Sequence, residues 1–138
     1  MQKTWLPVVR AQISLHKKQN HEAIQLLEVV TPFEKGQLTE NQSGSCMIPA
    51  SLRGKANLNL PKGKEALVEF QKIEANPGII GSCWSGPLAK LGERRAEAEM
   101  GLIGAAKGDY EKFLILWKDA DPGIPILKQA KSEAAKLH

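Results

Sequence analysis

The groups through which this chain of 138 residues could carry out covalent or metal chemistry are three histidines, two cysteines and a scatter of hydroxyls and carboxylates. His16 and His21 are five apart with a turn between them, so they do not share a helical face as paired metal ligands do, and His138 is terminal. Cys46 and Cys83 stand in Gly/Ser-rich stretches and form neither a Cys-x-x-Cys nor a Cys/His metal spacing. They read as two free thiols. The alternative is a disulfide between them, because both precede the first helix of a hairpin and therefore fall at the same end of a stack. Ser14, Ser51 and Ser85 sit in no nucleophile elbow, and the glutamates are spread along helical faces at spacings typical of solvated surface. The expectation is a chain with no catalytic constellation, no metal site and no cofactor, which leaves recognition as its chemistry.

Recognition needs elements to hold the recognising groups. The clearest runs from Gly101 to Pro122: a glycine closing a preceding helix, small Ala106, aromatic Tyr110 four residues on, apolar Phe113, Leu114 and Trp117, and Asp121-Pro122 as the stop. The small residue lets two helices approach, and the aromatic fills the same face one turn later. The pattern recurs at Gly63, Ala66, Phe70 and Ile73, stopped by Asn76-Pro77, and again at Asn20, Ala23, Leu27 and Val30, with Asn20 as N-cap. The alanines are 43 and then 40 residues apart. Self-similarity on this scale indicates a helical repeat architecture.

In chain order, Leu6, Val9 and Ile13 recur at helical spacing on a first helix that has Pro7 near its start and ends on Lys17 and Lys18. Residues 33–45 lack periodicity and read as a long connection. A third helix follows from Met47 to Leu60. Gly54 in its middle costs about 1 kcal/mol against Ala, so close packing against the partner helix is its expected use. A second Gly/Ser-rich connection holds Ile79, Ile80 and Trp84, which implies that it folds back on the body. A fifth helix starts near Pro87 with Ser85 as N-cap, and Ile124, Leu127, Ala130, Ala134 and Leu137 share one face of a final capping helix. No stretch alternates as a strand does. The predicted organisation is one all-α domain: hairpins at about 4–32, 47–76 and 87–120, and a capping helix at about 124–137.

Composition agrees with a soluble globular domain. Hydrophobic residues make up 42% and charged residues 25%, and no apolar run reaches the ~18 residues of a membrane span. The net charge of +4 is mild and spread along the chain, which does not imply a nucleic-acid surface. Helix-forming sequence begins almost at once, so Met1 to Trp5 reads as a cut into a longer polypeptide.

Paired helices with small and large residues in these places resemble the tetratricopeptide repeat. Ala11 and Gly54 stand where that family has the small residue of the first helix, facing Ala23 and Ala66 on the second. Arg94 takes the equivalent place in the third hairpin, Asn57 and Glu97 stand where an aromatic is expected, and the repeats exceed the ~34 residues of the standard unit. Leu116 to Pro122, followed by Ile124 to Lys131, is similar to the closing segment of bacterial eukaryotic-like serine/threonine kinases of the acidobacterial type, whose C-terminal halves are tetratricopeptide arrays. That likeness is strongest over residues 101–137, and similar tails occur on winged-helix regulators with tetratricopeptide sensor halves. No kinase motif is present.

The resemblance implies a right-handed superhelix of about three hairpins plus a cap, a non-catalytic protein-interaction module of a larger bacterial signalling protein, its compartment left open. It also implies a concave groove lined by the first helices. Its side of those helices would show Trp5, Val8, Gln12 and His16, then Ser51, Lys55 and Asn59, then Leu91, Arg95 and Glu99. Gln12, His16, Lys55, Asn59 and Arg95 are the expected peptide-binding residues, since amides and cations hold peptide backbone and carboxylates. The alternative is self-association, the groove or the Trp5-bearing face packing on another copy to give a homodimer and so set the oligomeric state of the parent protein.

Overall fold

The computed structural model describes residues 2–36 and 46–137. Among these the regular elements are α1 (Gln2–His16), α2 (Asn20–Glu28), α3 (Ile48–Asn59), α4 (Gly63–Glu74), α5 (Pro77–Ile80), α6 (Ser85–Glu99), α7 (Ile103–Leu116) and α8 (Pro125–Ala134), with one 3-10 turn at Thr31–Phe33. The protein is all-α. Helix α1 pairs with α2, α3 with α4, and α6 with α7, while α2 also lies on α3, α4 on α6 and α7 on α8. Each hairpin core is therefore closed by the helix that follows it. Leu52 and Ala56 of α3 complete the cluster around Ala11, Ala23 and Leu27, Ala89 and Ala96 of α6 complete that around Ala66 and Phe70, and Ala130 of α8 joins Tyr110 and Phe113.

The small residues set the spacing. Ala11, Ala23, Ala56, Ala66, Ala96 and Ala106 are fully buried, and at a helix crossing a methyl side chain allows the axes to come within about 8 Å. Phe70 shows how tight this becomes. A Cβ added to Gly54 of α3 would lie 2.6 Å from the Phe70 ring, and one added to Gly92 of α6 would lie 2.4 Å from it. The ring of α4 thus occupies space that only glycine leaves on the two neighbouring helices.

Behind this packing, buried Arg53 of α3 binds the first hairpin to the second. Its Nη2 is paired with Glu34 and lies 2.9 Å from Glu69 Oε2, and its Nη1 donates to Thr31 Oγ1 at 3.1 Å and to the Leu27 carbonyl at 3.3 Å. Burial alone disfavours the guanidinium charge, but the hydrogen bonds it donates to Glu69 and Glu34, with the charges of those carboxylates, outweigh it and raise the Arg53 pKa.

Several sequence expectations are corrected. Leu6, Val9 and Ile13 face outward, and α1 turns Val8, Ala11 and Leu15 to the core. Both sets have helical spacing on a helix that is apolar over most of its circumference, and the set containing the small residue wins because α2 must approach closely. Asn20 is the first residue of α2 rather than its cap. Ser85 opens α6 without capping it, and its hydroxyl is buried without a partner. The second connection contains α5. The cysteines are not free: Cys46 and Cys83 form a disulfide with a Cα–Cα distance of 5.6 Å across 37 residues, because α3 and α4 run out and back and return the chain to the same end. Of the first long connection, residues 37–45 lie outside the described residues.

Replacing Gly92 by Ala tests the glycine packing. Helix propensity alone favours Ala by about 1 kcal/mol, yet the clash with Phe70 makes G92A destabilising by about 2 kcal/mol, as in other overpacked cores. Urea unfolding of G92A, F70L and the double variant should show F70L recovering part of the G92A loss; purely additive effects would refute the contact.

Candidate binding groove

Two adjoining hollows run across the first helices of the three hairpins. Gln12 and His16 of α1, Lys18 of the turn after it, Asn20 at the start of α2, and Lys55 and Asn59 of α3 border the first, of about 420 Å³. Gln12 and Lys55 also border the second, of about 240 Å³, whose walls are Trp84, Leu88, Leu91 and Arg95 from the α6 region and Ile126 of α8, with Phe70 and Gly92 beneath. The shared Gln12 and Lys55 make the two hollows one trough.

This placement follows from helical phase. On α1, Ala11 faces the core, so the next residue, Gln12, and His16 one turn on come out along the side nearest α3. On α3, Gly54 faces the core, and Lys55 and Asn59 come out in the same way. Asn59 Nδ2 donates to Asn20 Oδ1 at 3.0 Å, which fixes the amide at the rim.

Arg95 of α6 is held by the last helix. Its Nε donates to Glu133 Oε2 at 2.8 Å, the Tyr110 hydroxyl donates to the same oxygen at 2.8 Å, and its Nη2 is buried without a hydrogen-bond partner. Burial and the Glu133 carboxylate push the Tyr110 phenol up, so it stays a donor.

Of the five residues expected to bind peptide, four (Gln12, His16, Lys55 and Asn59) border the first hollow, and Arg95 borders the second together with Gln12 and Lys55. Ser51 and Leu91 also line the second. Trp5 and Val8 do not share this trough, contrary to the groove register. Val8 is buried, and both border a small cleft of about 30 Å³ with Val30, Phe33 and Pro49. Glu99 is exposed and lines neither hollow.

Sequence reading missed the apolar half of the trough, formed by Trp84, Leu88 and Ile126. Trp84 gave a signal, an aromatic in a Gly/Ser-rich connection. Ile126 gave none, because it lies off the capping face defined by Leu127 and Ala130.

Among the described residues no Asp or Glu borders either hollow, whereas His16, Lys18, Lys55 and Arg95 do. The trough can attract an anionic group at its α1–α3 end and take an apolar side chain at its α6–α8 end. Among the described residues no group of three or more His, Cys, Asp or Glu side chains could hold a metal ion, and no helix is long and apolar enough to cross a membrane.

Comparison with protein-family models, curated proteins and solved structures finds no match to this chain.

A buried carboxyl group lies outside the trough. Glu93 of α6 is only 4% exposed; its Oε2 accepts from Arg94 Nη2 at 2.8 Å, while its Oε1 has no partner. Burial, reinforced by the Glu74 carboxylate, pushes it up to about 7 from an ordinary 4.5. Between those pH values the folded chain keeps a proton that the unfolded chain releases, so this contribution is full below 4.5 and is lost as pH rises through 7. The permanently neutral E93Q is expected to match wild type near pH 4.5 and to exceed it by about 2 kcal/mol at pH 8. Urea unfolding at both pH values measures the difference, and equal offsets at the two would rule out the buried proton.

Proposed function

We propose that this chain is a non-catalytic protein-interaction module of the tetratricopeptide type, a right-handed superhelix of three hairpins with α8 as its cap, and that its ligand is an extended peptide lying in the trough. One observation carries the reading: the trough spans all three hairpins and the cap, is bordered by cations and amides, and among the described residues has no carboxylate along it. The ligand is a segment with a carboxylate for the Lys55 end and a large apolar side chain for the Trp84 end. The likeness of residues 101–137 to kinase tails supports the further proposal that the module belongs to a larger signalling protein, a serine/threonine kinase.

An array of ten-residue peptides of varied charge, probed with this chain, tests the groove. Bound sequences should combine Asp or Glu with Leu, Ile or Phe. K55E should weaken them by tenfold or more through charge reversal at close range, and N59A by a few-fold. Peptides selected without acidic bias, or bound equally by K55E, would sink this reading.

A second reading is favoured by the outer side of α1, where Leu6, Val9 and Ile13 are each about half exposed and form a stripe that could pair with a second copy. Electrostatics works against it, since Lys3, Arg10, Lys17 and Lys18 precede the first acidic residue, Glu22. A dimer built on α1 should therefore strengthen as salt screens those charges, and I13E should abolish it. A sedimentation series over protein and salt concentration decides, and a monomer throughout removes this alternative.

A further inference from the structure

The disulfide lies beside the trough's apolar wall. Cys83 immediately precedes Trp84, which borders the second hollow and yet is 53% exposed, so little of its own packing holds it there. The backbone around it is also loosely anchored. Gly81 takes a left-handed φ of 49°, Gly81 and Ser82 are exposed, and the hydrogen bonds from Cys83 N to the Ile80 carbonyl and from Gly86 N to the Cys83 carbonyl are local to the turn. The bond to Cys46 ties this turn to the start of α3. There, Cys46 and Met47 adopt φ values of 50° and 46°, a left-handed conformation that residues with a Cβ hold only when their surroundings impose it. Fully buried Met47 holds one side of that turn and the disulfide the other.

We propose that the Cys46–Cys83 disulfide is a redox-controlled fastening of the trough wall: oxidised, it holds Trp84 against the second hollow, and reduction releases the turn at 81–84 and opens that hollow. The significance for binding rests on the trough being the ligand site; the fastening itself does not. Both cysteines are partly exposed, so a dithiol reductant can reach them. One thiolate of the reductant attacks either sulfur, forming a mixed disulfide and expelling the other cysteine as a thiolate. The second thiol of the reductant then displaces the bound cysteine. Two electrons pass to the protein, two protons are taken up by its sulfurs, and the reductant leaves as a disulfide.

The test compares the 138-residue chain oxidised, reduced with dithiothreitol, and as the C46S/C83S variant. Far-UV circular dichroism follows the helices, and hydrogen exchange by mass spectrometry follows the amides. Reduction should leave helix content unchanged, speed exchange at 81–88 by tenfold or more with α4 and α7 still protected, and reverse on reoxidation. An acidic, apolar probe peptide selected on the oxidised chain should bind the reduced chain several-fold more weakly, a difference that W84A should erase. Unchanged exchange at 81–88 would overturn the proposal, as would loss of helix throughout on reduction, because the bond would then hold the whole fold rather than one wall. Faster exchange at 81–88 with no peptide bound in either state would support the fastening and refute the trough as ligand site.

Discussion

The contact on which the stack most depends is the ring of Phe70 seated against two glycines, Gly54 on α3 and Gly92 on α6. A helix packs on its neighbours by fitting side chains into the spaces between theirs, and an aromatic ring needs a space larger than an ordinary ridge leaves. Here the space exists because both neighbours lack a Cβ at the point of approach. Helix α4 is thereby drawn between α3 and α6 and becomes the central element, with hairpins packed on both sides. The trough follows from this. Phe70 and Gly92 lie beneath its second hollow, so the contact that closes the core behind also sets how far apart the first helices stand in front.

The chemical division of the trough has its cause in the two ends of the chain. At the first end, the residues after the buried small ones, Gln12 and Lys55, are polar and exposed. At the other end α8 does two things at once. Leu127 and Ala130 cover the last core, while Ile126 enters the trough wall and Glu133 takes the Nε hydrogen of Arg95. The Glu133 carboxylate offsets the Arg95 charge, so the positive charge of the trough is concentrated near Lys18 and Lys55. Capping the stack and giving the trough its polarity are the same packing event.

The sequence revealed the periodic parts of this arrangement. The recurring small residue followed by a large one placed the long hairpins, because burying a close helix contact leaves few residue types at those positions. It also brought Gln12, Lys55, Asn59 and Arg95 to one side of the molecule, since helical phase carries over from a buried alanine or glycine. Other features depended on choices that periodicity does not make. Helix α1 is apolar on two sides, and only the partner helix decides which side is buried. The disulfide is a meeting of two turns whose distance is fixed by α3 and α4, not by anything near the cysteines. The wall formed by Trp84 and Ile126 comes from a connection and from the edge of the cap, where no repeat constrains the residue type.

The third hairpin departs most from the small-residue rule, and the structure shows what replaces it. Arg94 stands where the first two hairpins have Ala11 and Gly54. It bridges α6 to α7 by pairing with Asp109 while also binding Glu93 and Glu97. Charged contacts of this kind recover less than close apolar packing once desolvation is subtracted, and α6 carries further unmet demand. Three buried polar side-chain atoms among the described residues lack partners, Ser85 Oγ, Glu93 Oε1 and Arg95 Nη2, and all three are on α6. A buried polar atom left without a partner costs on the order of 1–3 kcal/mol. The same helix supplies Leu88, Leu91 and Arg95 to the trough. Unsatisfied polar groups concentrated on one helix, and that helix lining the second hollow, is the pattern expected where part of the stability has been given up for a site. The first two hairpins, built on alanine and glycine contacts, are the rigid frame against which α6 is held.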